Sequence, residues 1–187
     1  MSKIILAVGP MFSGKSAWLI QELAAYGATG KPFLAVRFSG DNRYSADAIA
    51  SHDGTKYVAK NAKTVADIKN LLSKHGQITM LAVDEVQFFD PTLADLFGDL
   101  KTQNIKIFVT GLDTDFLAKP WETTQAVQKI ADDVISLKAI CSVCLQPNAT
   151  RTQRLIGGKP APKNSPRILI GDTETYTARC EEHYEVV

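Results

Sequence analysis

Three cysteines in 187 residues are too few for a disulfide scaffold and cannot all pair with one another. Excess charge of one sign is missing too: 21 Lys and Arg stand against 20 Asp and Glu, mixed along the chain, for a formal net charge of +1. No basic stripe invites nucleic acid, and no acidic tail serves as a solvating arm. No apolar run is long enough to span a bilayer. The start, "MSKIILAVGP", has one lysine and a short apolar run without a small-residue cleavage site. The expected location is therefore cytoplasmic, away from membranes. Internal repeats are absent, and the one compositionally biased piece, "KPAPKNS" at 159–165, reads as a flexible loop tip. What is present is a chain of 45% hydrophobic content. That suits one good-sized soluble domain plus a small appendage.

Short runs rich in Val and Ile recur at "KIILAV", "PFLAVRF", "ITMLAVDE" and "IKIFVTGL". Helical patterns lie between several of them ("TVADIKNLLSKHG", "PTLADLFGDLKTQN"), and a further one, "ETTQAVQKIADDV", follows. Strands alternating with helices predict an α/β fold, a parallel sheet covered on both faces. Right-handed crossovers then place the strands' carboxyl ends on one edge, where ligands of such sheets bind. That edge collects Ser13 to Ser16, Asp41, Asp84, Glu85 and Asp113. The aperiodic stretch from Phe38 to Tyr57 reads as a long surface loop. Near Ile135 the texture changes to short strands punctuated by Gly and Pro, which divides the chain into 1–135 and 136–187. The second part is too small to bury a core unaided, so it needs a staple.

Three constellations carry chemistry. "GPMFSGKS", comprising Gly9, Pro10, Met11, Phe12, Ser13, Gly14, Lys15 and Ser16, matches G-x-x-x-x-G-K-[ST] between a strand and a helix. In such a phosphate loop inward N–H groups and the helix N-terminus cradle phosphates, Lys15 reaches the terminal ones, and the Ser16 hydroxyl ligates magnesium. In "LAVDEVQFF" a strand ends in two carboxylates, Asp84 and Glu85. Asp84 suits the magnesium; Glu85 suits a general base acting on water in an ATPase or on a substrate hydroxyl in a kinase. Cys141-x2-Cys144 and Cys180-x2-His183 make two knuckles whose three thiolates and one imidazole fit a tetrahedral structural zinc. A redox reading of Cys141 and Cys144 would leave Cys180 and His183 unexplained. His52 and His75 have no ligand-spaced neighbours. Phe88, Phe89, Phe116, Trp121 and Tyr176 gather near the acidic edge and suggest a flat, stacked substrate.

Together with "DNRYS", "SHDG", "GLDTDFLAKPW" and "ILIGDTETYTARC", these segments resemble the cytosolic-type (type II) thymidine kinases in order and spacing over almost the whole chain. The resemblance implies a RecA-like phosphate-loop sheet with a small zinc-binding lasso domain. It implies transfer of the γ-phosphate of ATP to the 5′-hydroxyl of thymidine, with magnesium, for nucleotide salvage. It also implies a homotetramer inhibited by the end product dTTP. By the same resemblance Glu85 is the general base, and Asp41 and Arg43 face the phosphates and metal, Arg43 as a catalytic residue. Gln87 joins the nucleotide site. Met11, Phe88, Leu112, Phe116 and Trp121 line the base pocket, where relatives commonly have Phe at the position of Trp121. Thr152 and the lasso from Ile170 and Gly171 to Tyr176 lie over thymine. Where relatives have Gly or Ala, this chain has Val86, which is expected to narrow the strand end. A zinc ribbon that binds nucleic acid is disfavoured by the near-neutral charge.

Overall fold

The computed structural model describes residues 2–40, 47–51, 54–169 and 175–187. The order begins β1 (Ile4–Val8), α1 (Lys15–Gly27), β2 (Phe33–Phe38), β3 (Ala48–Ala50), β4 (Lys56–Val58) and β5 (Lys60–Ala62). It continues with α2 (Val65–His75), β6 (Met80–Asp84), α3 (Leu93–Thr102), β7 (Lys106–Gly111), α4 (Glu122–Ile130) and β8 (Asp133–Ser136). The last part adds β9 (Arg151–Ile156), β10 (Lys159–Pro160) and β11 (Tyr176–Arg179).

Six strands form a parallel sheet in the order β5-β2-β6-β7-β1-β8. Side chains alternate between its faces, as the period of two requires. Leu6, Val36, Leu81, Val83, Ile107 and Val109 pack into one core with α2, α3 and α4. Ala35, Met80, Ala82 and Phe108 pack into another with Leu19, Ile20 and Leu23 of α1. Burial on both faces is why these four strands are legible as unbroken apolar runs. The helix α2 starts on a capping box: Thr64 Oγ1 accepts from the Asp67 amide at 3.1 Å, and Asp67 Oδ2 accepts from the Thr64 amide at 2.9 Å.

Several expectations change. The pattern read as a helix through Val134 ends at Ile130, and Asp133–Ser136 pairs instead with β1 at the sheet edge. Within the stretch read as a surface loop, Ala48–Ala50 pairs antiparallel with Lys56–Val58, and Ile49 is buried against α1's core. The stretch read as a loop tip begins as β10, and Ala161 is buried. Val86 does not narrow the cavity at the strand end: it is fully buried, in the core on the far side. A Cβ at Gly111 would lie 2.8 Å from its Cγ2, so the two sites are packed to the limit that glycine allows. Among the described residues no helix is long and apolar enough to cross a membrane.

Candidate active site and metal cluster

The strand order sets the site. β7 lies between β1 and β6, so the loop after β1 and the carboxylates ending β6 open on the same edge with Thr110 between them. Gly9 permits a close approach: a Cβ there would sit 2.3 Å from the Leu137 carbonyl oxygen. Gly14, at φ 81°, turns the loop into α1, whose first turn has neither a side-chain cap nor an acid. Its amides and dipole therefore favour an anion. The Lys15 ammonium is buried over the loop, donating to the Pro10 carbonyl at 2.7 Å, with Ser13 Oγ at 3.4 Å. Ser13 donates to that same carbonyl at 2.8 Å.

Ser16 Oγ donates to Asp84 Oδ2 at 3.1 Å, which brings together the two residues expected to share magnesium. Thr110 donates to the other oxygen, Oδ1. Burial, reinforced by the neighbouring Glu85 charge, pushes the Asp84 carboxyl up to about 7 against the hydrogen bonds from Thr110 and Ser16. A buried carboxylate beside a hydroxyl is a hard-oxygen donor set suited to magnesium, whose charge would offset that cost.

The same shift has a consequence for folding. A carboxyl raised above its unfolded value near 3.9 keeps an extra proton in the folded chain, so its contribution to stability falls as pH rises from about 4 to about 7. Asp84→Asn is expected to be more stable than wild type by roughly 2–4 kcal/mol at pH 8, and no more stable at pH 4. Urea unfolding in magnesium-free buffer at both pH values measures the difference. Equal stabilities at pH 8 would rule it out.

Glu85 itself has left-handed backbone, φ 59°, a strained conformation for a non-glycine residue that turns the chain out of β6. Gln87 Nε2 donates to Glu85 Oε2, and Gln87 Oε1 accepts from the Leu112 amide at 3.0 Å. Gln87, expected on the nucleotide, thus lies buried behind Glu85 with both ends of its amide engaged.

These groups border one cavity of about 680 Å³. Gly14, Lys15, Ser16, Asp84 and Glu85 line its polar end, and Met11, Phe12, Phe88, Leu112, Phe116, Trp121, Thr152 and Tyr176 are among the residues that line the rest. Gly9, Pro10 and Ser13 of the loop are not among the lining residues. Phe88 stacks on Phe38 at 5.0 Å and meets Trp121 edge-on at 5.9 Å. The Met11 amide donates to Thr152 Oγ1 at 3.0 Å and ties the phosphate loop to β9. Three described residues expected at this edge are absent from the lining: Ser13 bonds the Pro10 carbonyl, Phe89 is in the sheet core, and Asp113 accepts from the Thr114 amide at 2.9 Å. Asp41, Arg43, His52, Ile170 and Gly171 lie outside the described residues.

The second part is an antiparallel sheet, β10-β9-β11, beside four knuckle residues. The ligand atoms of Cys141, Cys144, Cys180 and His183 all lie within 4.8 Å of one another, with His183 Nδ1 3.1 Å from Cys180 Sγ. Three sulfurs and one imidazole can hold a metal such as zinc. Burial opposes the Cys141 thiolate, but the backbone N–H groups of Cys144, Cys180 and Val143 outweigh it and bring the thiol down to about 6. Among the described residues, one small buried cluster here comprises Ala139, Cys141, Ala149, Ala178 and Cys180, with Phe12 of the phosphate loop against it.

The thymidine kinase family model matches residues 2–184. The chain belongs to the thymidine kinase family. A thymidine kinase of Pyrobaculum aerophilum is 44% identical over 184 residues, 98% of each chain. One from Thermococcus kodakarensis is 39% identical over 182 residues, covering 95% of this chain and 91% of its own. One from Coprothermobacter proteolyticus is 39% identical over 178 residues, covering 95% and 88%. This thymidine kinase family site also includes residues that the motifs did not single out: Arg37, Phe38, Asp115, Arg154 and Arg167 line the cavity, and Thr110 lies beneath Asp84. The signal for Thr110 was present, a hydroxyl near the end of the strand that must neighbour β6. Arg154 and Arg167 carried none, because isolated cations in a segment rich in Gly and Pro look like solvated surface.

Proposed function

We propose that the chain transfers the γ-phosphate of ATP to the 5′-hydroxyl of thymidine, and more weakly to that of deoxyuridine, giving the monophosphate in nucleotide salvage. The observation that carries this reading is the single cavity joining a phosphate loop, a carboxylate at φ 59° and an aromatic-walled end formed by Phe88, Phe116, Trp121 and Tyr176. A triphosphate suits the first and a flat base the last, with Glu85 between.

In this reading the loop amides and Lys15 hold the β- and γ-phosphates and stabilise charge that grows during transfer. Magnesium, held by Ser16 and Asp84, would supply further neutralisation of the phosphates. Glu85, oriented by Gln87, takes the proton of the 5′-hydroxyl as that oxygen attacks phosphorus in line; the P–O bond to the leaving diphosphate breaks, and ADP departs. Met11, Phe88, Leu112, Phe116, Trp121, Thr152 and Tyr176 position the nucleoside. Asp41, Arg43, Ile170 and Gly171 complete the phosphate and base contacts by family resemblance. The thymine 5-methyl group contributes only a pocket-filling term of about 1–3 kcal/mol, so deoxyuridine is the weaker substrate. dTTP carries the same base and a triphosphate, and competes for the same cavity. We place the enzyme in the cytoplasm as a homotetramer, with a phosphate-loop domain at 1–135 and a zinc-binding lasso domain at 136–187.

Zinc is proposed as the staple of that second domain. Cys141→Ser is expected to loosen β9 and β11, which carry Thr152 and Tyr176, and to abolish thymidine binding while ATP binding partly survives. Metal analysis together with titration of both ligands checks this; active protein free of zinc contradicts it. The overall reading is tested by supplying ATP and magnesium with each of the four natural deoxynucleosides. Thymidine monophosphate should dominate. Equal phosphorylation of deoxycytidine or deoxyadenosine would overturn the base assignment.

A further inference from the structure

The segment Ser165–Leu169 roofs the nucleoside end of the cavity: Arg167, Ile168 and Leu169 line it. Yet it belongs to no strand or helix, and its apolar side chains Ile168 and Leu169 remain about half exposed, at 54% and 48%. Neither a β-ladder nor core burial therefore holds it. The carbonyl groups of Pro166, Arg167 and Leu169 are taken by side chains instead.

Arg154 does most of this from inside. It is 2% exposed, and among the described residues no carboxylate pairs with it, an arrangement that costs free energy unless neutral acceptors replace the counter-charge. Its Nη1 donates to the Pro166 carbonyl, and Nη2 to the Arg167 carbonyl at 2.9 Å. Nε and Nη2 donate to Tyr176 Oη at 3.0 and 2.6 Å, and that hydroxyl in turn donates to the Leu169 carbonyl at 2.6 Å. The guanidinium lies 3.9 Å from the Phe116 ring centroid. Arg167 grips from the other side. Its Nε donates to Asp115 Oδ2 at 2.8 Å and Nη2 to the Pro120 carbonyl at 2.6 Å, with the guanidinium 4.2 Å over Trp121. Asp115 is itself buried, and its Oδ1 accepts from the Leu117 and Lys119 amides, both at 2.9 Å, fixing the turn that carries Phe116.

We infer that Arg154 and Arg167 are positioning residues that clamp Ser165–Leu169 onto Phe116, Trp121 and Tyr176, and so set nucleoside affinity without touching the phosphate loop. This rests on reading the aromatic end of the cavity as the base pocket. Both grips need a planar fork that bonds in two directions, which an ammonium cannot reproduce.

The test begins with Arg167→Ala, since that side chain is 40% exposed and its loss leaves the core packed. The expected result is a Michaelis constant for thymidine raised about tenfold or more, with turnover within about threefold and the Michaelis constant for ATP unmoved. Asp115→Asn should behave alike, and the double variant should be no worse than the worse single, because both remove one shared interaction. Arg154→Lys keeps the charge and loses the fork, so it should not rescue affinity. Amide hydrogen exchange of 165–169 in the nucleoside-free protein should quicken in each variant, a readout independent of the substrate. If wild type phosphorylates thymidine and Arg167→Ala leaves its Michaelis constant unchanged, or lowers turnover alone, the clamp is overturned. If wild type does not phosphorylate thymidine, the base-pocket reading fails, and exchange alone decides the clamp: faster exchange supports it, unchanged exchange overturns it.

Discussion

Glu85→Gln is expected to lower turnover for thymidine phosphorylation by roughly 10²–10⁴-fold, the range set by a positioned general base. The substitution keeps size and polarity and removes basicity. Its amide can still face Gln87, whose other end stays on the Leu112 amide at 3.0 Å, so the local frame survives. The left-handed backbone at φ 59° is a feature of the turn and not of the carboxylate, so it also persists. Thymidine should therefore bind about as before. An interaction felt only in the transition state lowers turnover and the specificity constant together, whereas loss of uniform binding raises the Michaelis constant alone. Calorimetric binding of thymidine and steady-state rates on one preparation separate the two. A variant that keeps the wild-type rate would remove Glu85 from the proton transfer.

Lys15→Ala is expected to cost at least about 10²–10³-fold in turnover, because a preorganised donor is lost where phosphoryl charge develops. The fold should tolerate the change. Ser13 already donates to the Pro10 carbonyl at 2.8 Å, so that acceptor keeps a partner when the ammonium is gone. Circular dichroism and thermal unfolding should match wild type while phosphorylation collapses. Near-normal turnover in a folded variant would contradict the phosphate-loop assignment.

How much of this was legible in the sequence depends on how each residue is buried. β1, β2, β6 and β7 are covered on both faces, and their Val, Ile and Leu runs announce them. β5 and β8 are edge strands: Lys60 and Asn61 are exposed, as are Asp133 and Val134, so no periodic signal separates them from loop or helix end. The phosphate loop, the carboxylate pair and the knuckles were readable because each chemistry demands residue types at short, fixed spacing. The segment 165–169 over the aromatic end of the cavity was not. Arg154 and Arg167 take acceptors up to 52 residues away in sequence, and such pairings are created only when β9 lies beside β11 and the segment 165–169 meets the turn after β7. Val86 shows the converse limit: the position was noticed, but the direction of its side chain depends on the strained turn at Glu85.

The central claim is that the cavity passes phosphate to a nucleoside hydroxyl and not to water. ADP and thymidine monophosphate should be counted together on one preparation, with ATP and magnesium, in the presence and absence of thymidine. The expected outcome is one monophosphate for each ADP with thymidine present, and very little ADP without it. Rapid ADP release that ignores thymidine would mean that Glu85 activates water, and would contradict the kinase mechanism.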